Sequence, residues 1–87
     1  MSYTPPNYTE ARAILRGLDL SGSKAAAYAS LGGGRTVRRY TSESKDTFTP
    51  MPYAVLYTLA HRAGGYTPAP ETWREDLATL LAAGAAH

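Results

Sequence analysis

Three consecutive glycines, Gly32 to Gly34, stand in the middle of "AAAYASLGGGRTVRRYTSES" (residues 25–44) and divide two helical patterns that would otherwise run together. Glycine is poor at holding a helix and good at turning a chain, so the segment reads as two short helices joined by a turn. On the first side, Ser21 is placed to cap a helix running through Ser30, with Ala26 and Ala29 small enough for another helix to cross closely. On the second side, from Gly34, Val37 and Tyr40 point one way. Arg35, Arg38, Arg39 and Ser42 recur at i, i+3, i+4, i+7 and point the other way, so one face is apolar and the opposite face almost wholly cationic.

The flanks continue the helical grammar. Asn7 with Glu10 is a capping box, and Ala11, Ile14, Leu15 and Leu18 then form one buried stripe, which predicts a helix over about residues 8–18. Residues 43–51 read as loop, with Phe48 as an anchor into the core. Pro52 suits the first position of a further helix whose inner stripe is Val55, Leu56, Leu59 and Ala63 and which ends at Gly64-Gly65. After the stiff connector "YTPAP" (66–70), Trp73, Leu77, Leu80 and Leu81 mark a last helix. It carries Glu71, Glu75 and Asp76 at its positive end and Gly84 beyond its other end. No convincing strand is present. The expected fold class is all-α: a bundle of about four helices over residues 1–65, followed by a connector and C-terminal helix over 66–87.

At 87 residues with 44% apolar content, the chain supports one small domain. Nine Lys and Arg against seven Asp and Glu give a net charge of only +2, so placement matters more than the total. Arg35, Arg38 and Arg39 fall within five residues, whereas Glu43, Asp46, Glu71, Glu75 and Asp76 come later. That asymmetry points to a polyanionic partner. The absence of cysteine excludes disulfides and thiolate metal sites. Pro5, Pro6, Glu10 and Arg12 interrupt any signal-peptide-like apolar run, and no stretch approaches the ~18 apolar residues of a membrane span, so a soluble, cytoplasmic protein with no membrane partner is expected.

The glycines admit three readings. A phosphate cradle of the Walker kind needs a preceding strand and a Lys followed by Ser or Thr, and neither occurs. A flexible turn without chemical consequence is the bland alternative. The third is a helix-turn-helix, whose second helix enters the major groove, where guanidinium groups bond guanine edges in a two-pronged way. Arg35, near the helix start, is best placed for a base. Arg38 and Arg39 reach bases or flanking phosphates, and the glycines let the helix-start amides, Gly34 included, approach a phosphate closely.

"LSGSKAAAYASLGGGRTVRRYTSES" followed by "TPMPYAVLYTL" resembles the anti-CRISPR-associated regulators of phages and mobile elements, small Xre/Cro-like helix-turn-helix proteins. The similarity covers about residues 12–60. It is most specific in "RTVRRY" and in the "PYxVxxxL" pattern of Pro52, Tyr53, Val55 and Leu59. The resemblance implies a homodimeric autorepressor that binds inverted repeats in the promoter of its own anti-CRISPR operon and excludes RNA polymerase. By position, it implies a backbone contact for Lys24 and a base contact for Arg35. The turn here is one residue longer and richer in glycine than the usual pattern, so Arg35 and Thr36 compete for the main base contact. The expected base-reading set is thus Arg35, Thr36, Arg38 and Arg39, with phosphate contacts from Ser23, Lys24, Gly34, Ser42 and Tyr53.

Trp73, Leu77, Leu80 and Leu81 read either as the last layer of the core or as a dimer seam. The seam is preferred, because one helix-turn-helix reads few base pairs and palindromic operators mirror a two-fold axis in the protein. Tyr28 and Tyr40 are expected to be partly buried. His61 and His87 have no second ligand near them, and no Ser, His or Asp stands in a nucleophile motif. No metal, cofactor, small-molecule substrate or enzymatic activity is expected. The rival reading is a helical interaction module, antitoxin-like or an anti-CRISPR inhibitor, whose basic face binds an acidic protein.

Overall fold

In a computed structural model, which describes residues 2–28 and 34–85 (34 and 35 by backbone alone), the first helix, α1 (Tyr8–Gly17), starts at the capping box. The Glu10 amide donates to Asn7 Oδ1 at 2.8 Å, and the Asn7 amide donates to Glu10 Oε1 at 2.9 Å. Ala11, Ile14 and Leu15 face the core as the periodicity predicts, and Leu18, half-buried, caps the helix. The chain leaves α1 through Asp19 in the left-handed region (φ 56°), with Leu20 N–H bonded to Leu15 O and Asp19 N–H to Arg16 O. This is a Schellman ending with Asp where Gly is the usual choice.

Helix α2 (Gly22–Tyr28) follows, and the Lys24 amide donates to Ser21 Oγ at 3.2 Å, so Ser21 caps as expected. Ala25 and Ala26 are its buried residues; Ala29, Ser30 and the turn through Gly33 lie outside the described residues. Helix α3 (Gly34–Tyr40) packs against α2 and sends Val37 and Tyr40 into the core. It stops two residues short of Ser42. The Thr41 hydroxyl and amide both turn back to the Arg38 carbonyl, tightening the last turn.

Met51, not Phe48, anchors the next loop: Met51 is 1% exposed, whereas Phe48 is half-buried at the surface. Phe48 instead lines a surface depression with Tyr8 and Lys45. Helix α4 (Tyr53–Gly64) has Pro52 as its N-cap and buries Leu56, Leu59 and Ala60, with Val55 and Ala63 at the edges of that stripe. Gly65, at φ 73°, ends it.

The C-terminal region departs most from expectation. The sequence pattern predicts one helix after the connector; the chain forms two, α5 (Trp73–Asp76) and α6 (Ala78–Ala85), hinged at Leu77. Gly84 lies inside α6 and is buried. Helix α6 folds back across α1, its principal packing partner, at a crossing where Gly17 meets Leu80 and Gly84 meets Ala13. The Trp73 indole donates to Thr4 O at 2.8 Å. Trp73, Leu77 and Leu80 therefore close the same core as Ile14, Val37 and Leu59. The dimer-seam reading of these three side chains is corrected: they are 1%, 0% and 3% exposed within a single chain. Only Leu81 of the four is half-exposed, and residue 65 is not an edge of the core. No strand occurs among the described residues, and the fold is all-α.

Candidate nucleic-acid interface

Helix α3 is held by its apolar side. With Val37 and Tyr40 buried, the 100° step between residues turns Arg38 and Arg39 outward, and both are exposed. Among the described residues no carboxylate pairs with either; the ion pairs found there join Arg12 to Glu43 and Arg74 to Glu10. Arg38, Arg39 and Ser42 line one open depression together with Thr47, a residue no sequence pattern points to. Ser42 and Thr47 are joined hydroxyl to hydroxyl, and the Ser44 amide donates to Ser42 Oγ at 3.3 Å, so this wall of the depression is a bonded turn. Thr47 sits in a Ser/Thr-rich stretch without periodicity, and nothing in the sequence distinguishes it from its neighbours.

The other predicted contacts are dispersed. Thr36 is half-buried on α3. Arg35 belongs to the same helix, and its side chain lies outside the described residues, so the choice between Arg35 and Thr36 does too. Gly34 opens α3, and Ser23 and Lys24 are exposed in the first turn of α2. Tyr53 is a correction. Its hydroxyl donates to Pro68 O at 2.8 Å and its ring packs edge-on against Tyr3 at 5.5 Å, so the donor that a phosphate would need already serves the connector. Tyr57 stacks on His61. Tyr28 is more exposed than expected, at 37%, while Tyr40 is buried, and that burial raises its hydroxyl pKa.

Two further arginines, which no sequence pattern singles out, bond backbone carbonyls near α2 and α3. Arg62, on α4, donates to the Tyr28 carbonyl of α2 at 3.0 Å. Arg12, on α1, donates to the Thr41 carbonyl at 3.1 Å, just past α3. Both act across elements 29 or more residues apart, a separation at which local sequence pattern carries no signal.

Glu10 is tied more tightly. Arg74 reaches its carboxylate through Nε (2.7 Å) and Nη2 (3.0 Å). Burial pushes the Glu10 carboxyl upward, but the Arg74 hydrogen bonds and charge and the Asn7 amide outweigh it and hold it below the usual value. The two charges offset one another at a partly exposed site.

Among the described residues, no helix is long and apolar enough to cross a membrane, and no three His, Asp or Glu side chains gather as metal ligands. Over 64 residues the chain is 41% identical to the transcriptional repressor protein KorC of Escherichia coli, a match covering 71% of each chain. No family model and no solved structure matches it.

Proposed function

The chain belongs to the family of the transcriptional repressor KorC, and from that premise we propose that it represses transcription by binding duplex DNA through α3. The observation that carries this reading is the exposure of Arg38 and Arg39, free of carboxylate partners among the described residues, on a helix whose opposite side is locked into the core. Unpaired guanidinium groups on a rigid rod can bond base edges or phosphates without first breaking an internal contact. Arg35 and Thr36 complete the base-reading set. Ser23, Lys24, the Gly34 amide and Ser42 fix register on the backbone.

The operator is an inverted repeat read by a homodimer, with half-sites about one helical turn, ~34 Å, apart. Because Trp73, Leu77 and Leu80 are consumed by the core, the pairing face excludes them, and Leu81 is the one member of the predicted seam that remains. The resemblance of residues 12–60 to anti-CRISPR-associated regulators extends the proposal to autoregulation, with the operator in the promoter of the chain's own operon.

Gel-shift titration on the duplex upstream of the gene, against a scrambled duplex of equal length, tests this. The expected result is binding to the native fragment at least about 10³-fold tighter than to the scrambled one, with a two-chain complex in sedimentation. Equal affinity for both duplexes would overturn sequence-specific repression, and binding to neither would favour a protein-only adaptor.

A further inference from the structure

The end of α3 is held by a side chain from another helix. Arg12 donates through Nε to the Thr41 carbonyl at 3.1 Å and through Nη1 to the Glu43 carboxylate at 3.0 Å, with its guanidinium 5.3 Å from the centre of the Tyr8 ring. One planar group thus touches the residue immediately after α3 and the first carboxylate beyond it. Glu43 stands next to Ser42, which lines the Arg38–Arg39 depression, and Ser42 and Glu43 together line a neighbouring one. The Glu43 side chain is 67% exposed, so its charge is not buried away from an approaching polyanion.

An exposed ion pair adds little to stability. Its effect on a neighbouring anion is larger, because a carboxylate within a Debye length of a phosphate repels it, and a paired carboxylate does so much less. The Thr41 contact acts in the same direction: it fixes where α3 ends and hence where Arg38 and Arg39 project.

We infer that Arg12 is a positioning residue for the DNA-binding face, fixing the end of α3 while masking the Glu43 carboxylate from the duplex backbone. This rests on the DNA-binding reading above. Arg12 itself need not touch DNA, since its donors are directed at Thr41 and Glu43.

A mutant cycle on the upstream duplex tests it, using Arg12→Gln, Glu43→Gln and the double variant, with thermal unfolding measured in parallel. Arg12→Gln is expected to weaken binding about tenfold, ~1.4 kcal/mol. Glu43→Gln alone should change it by less than about twofold, and the double variant should regain more than half of the loss on a logarithmic scale. A purely structural Arg12 would give a loss that Glu43→Gln does not reverse, and that result, or wild-type affinity in Arg12→Gln, overturns the inference. If Arg12→Gln does not fold, Arg12→Met carries the same cycle: it keeps the aliphatic stem and removes the charge and both donors, and more than half of its loss must likewise be reversed by Glu43→Gln. A wild-type chain that does not distinguish the native from the scrambled duplex sinks the DNA-binding reading itself. Binding by the wild type without rescue in the cycle sinks only the role of Arg12.

Discussion

Gly84 of α6 lies so close to Ala13 of α1 that a β-carbon at position 84 would overlap the Ala13 carbonyl. In an exposed helix Gly→Ala stabilises by up to ~1 kcal/mol; here backbone stands in the way and cannot swing aside as a side chain would. Gly84→Ala should therefore destabilise the fold by about 2–4 kcal/mol. Ala83→Gly, at an exposed position of the same helix, should cost no more than about 1 kcal/mol. Urea unfolding of both variants checks the contrast, and a neutral Gly84→Ala would mean that α6 does not cross α1 here.

That crossing joins segments far apart in the chain, so the C-terminal region is less legible in the sequence than the helices before it. The capping box at Asn7 and Glu10, the Ser21 cap and the Val37/Tyr40 face are local patterns, each written within a few residues and each present in the fold. Whether Trp73, Leu77 and Leu80 face their own core or a partner depends on what lies opposite them. What lies opposite is Thr4 for the indole and α1 for α6, more than sixty residues away in sequence. Gly84 looked like a stop signal because glycine usually is one; its role as a close-approach residue is visible only with Ala13 beside it. The same limit holds at the candidate interface. The cationic face of α3 is legible from its period, whereas the role of the Tyr53 hydroxyl is not, because its partner, Pro68, lies beyond the end of its own helix.

Asp19 closes α1 with φ at 56°, a conformation that costs a non-glycine residue free energy. It also sets a negative charge at the negative end of a helix. Both effects predict that Asp19→Gly stabilises the protein, by about 0.5–1 kcal/mol. Asp19→Asn, which removes only the charge and suits the same backbone region, should give a smaller gain. Denaturant midpoints at low and high salt separate the two parts, since only the charge contribution shrinks with salt.

The Glu10–Arg74 pair fixes the sign of the acid response. The Glu10 carboxyl is held below its ordinary value in the folded chain, so its contribution is fully present above the unfolded value of about 4.3. It is lost as pH falls from there through the folded value. Glu10→Gln keeps an acceptor for the Asn7 amide and loses the charge. It should lower stability at pH 7 by about 1 kcal/mol or less, given that the Arg74 end is 43% exposed. Below pH 4 the difference from wild type should shrink. Unfolding curves between pH 3 and pH 7 read this directly, and a gap between the two proteins that widens toward acid would contradict it.

On the candidate interface, arginine and lysine substitutions should separate by kind of loss. Arg38→Ala or Arg39→Ala removes an exposed group from α3 while leaving Val37 and Tyr40 in place, so folding is preserved and the expected defect lies in binding. If the guanidinium reads a base, about 1–3 kcal/mol is lost at one or two operator positions and discrimination there relaxes. Lys24→Ala, on the first turn of α2, should instead weaken every operator variant alike and reduce the salt slope by about one. Titrations over a panel of operator point variants at two salt concentrations distinguish these patterns. Uniform losses for both arginine variants, with slopes lowered as for Lys24→Ala, would move Arg38 and Arg39 from bases to phosphates and leave sequence reading to Arg35 and Thr36.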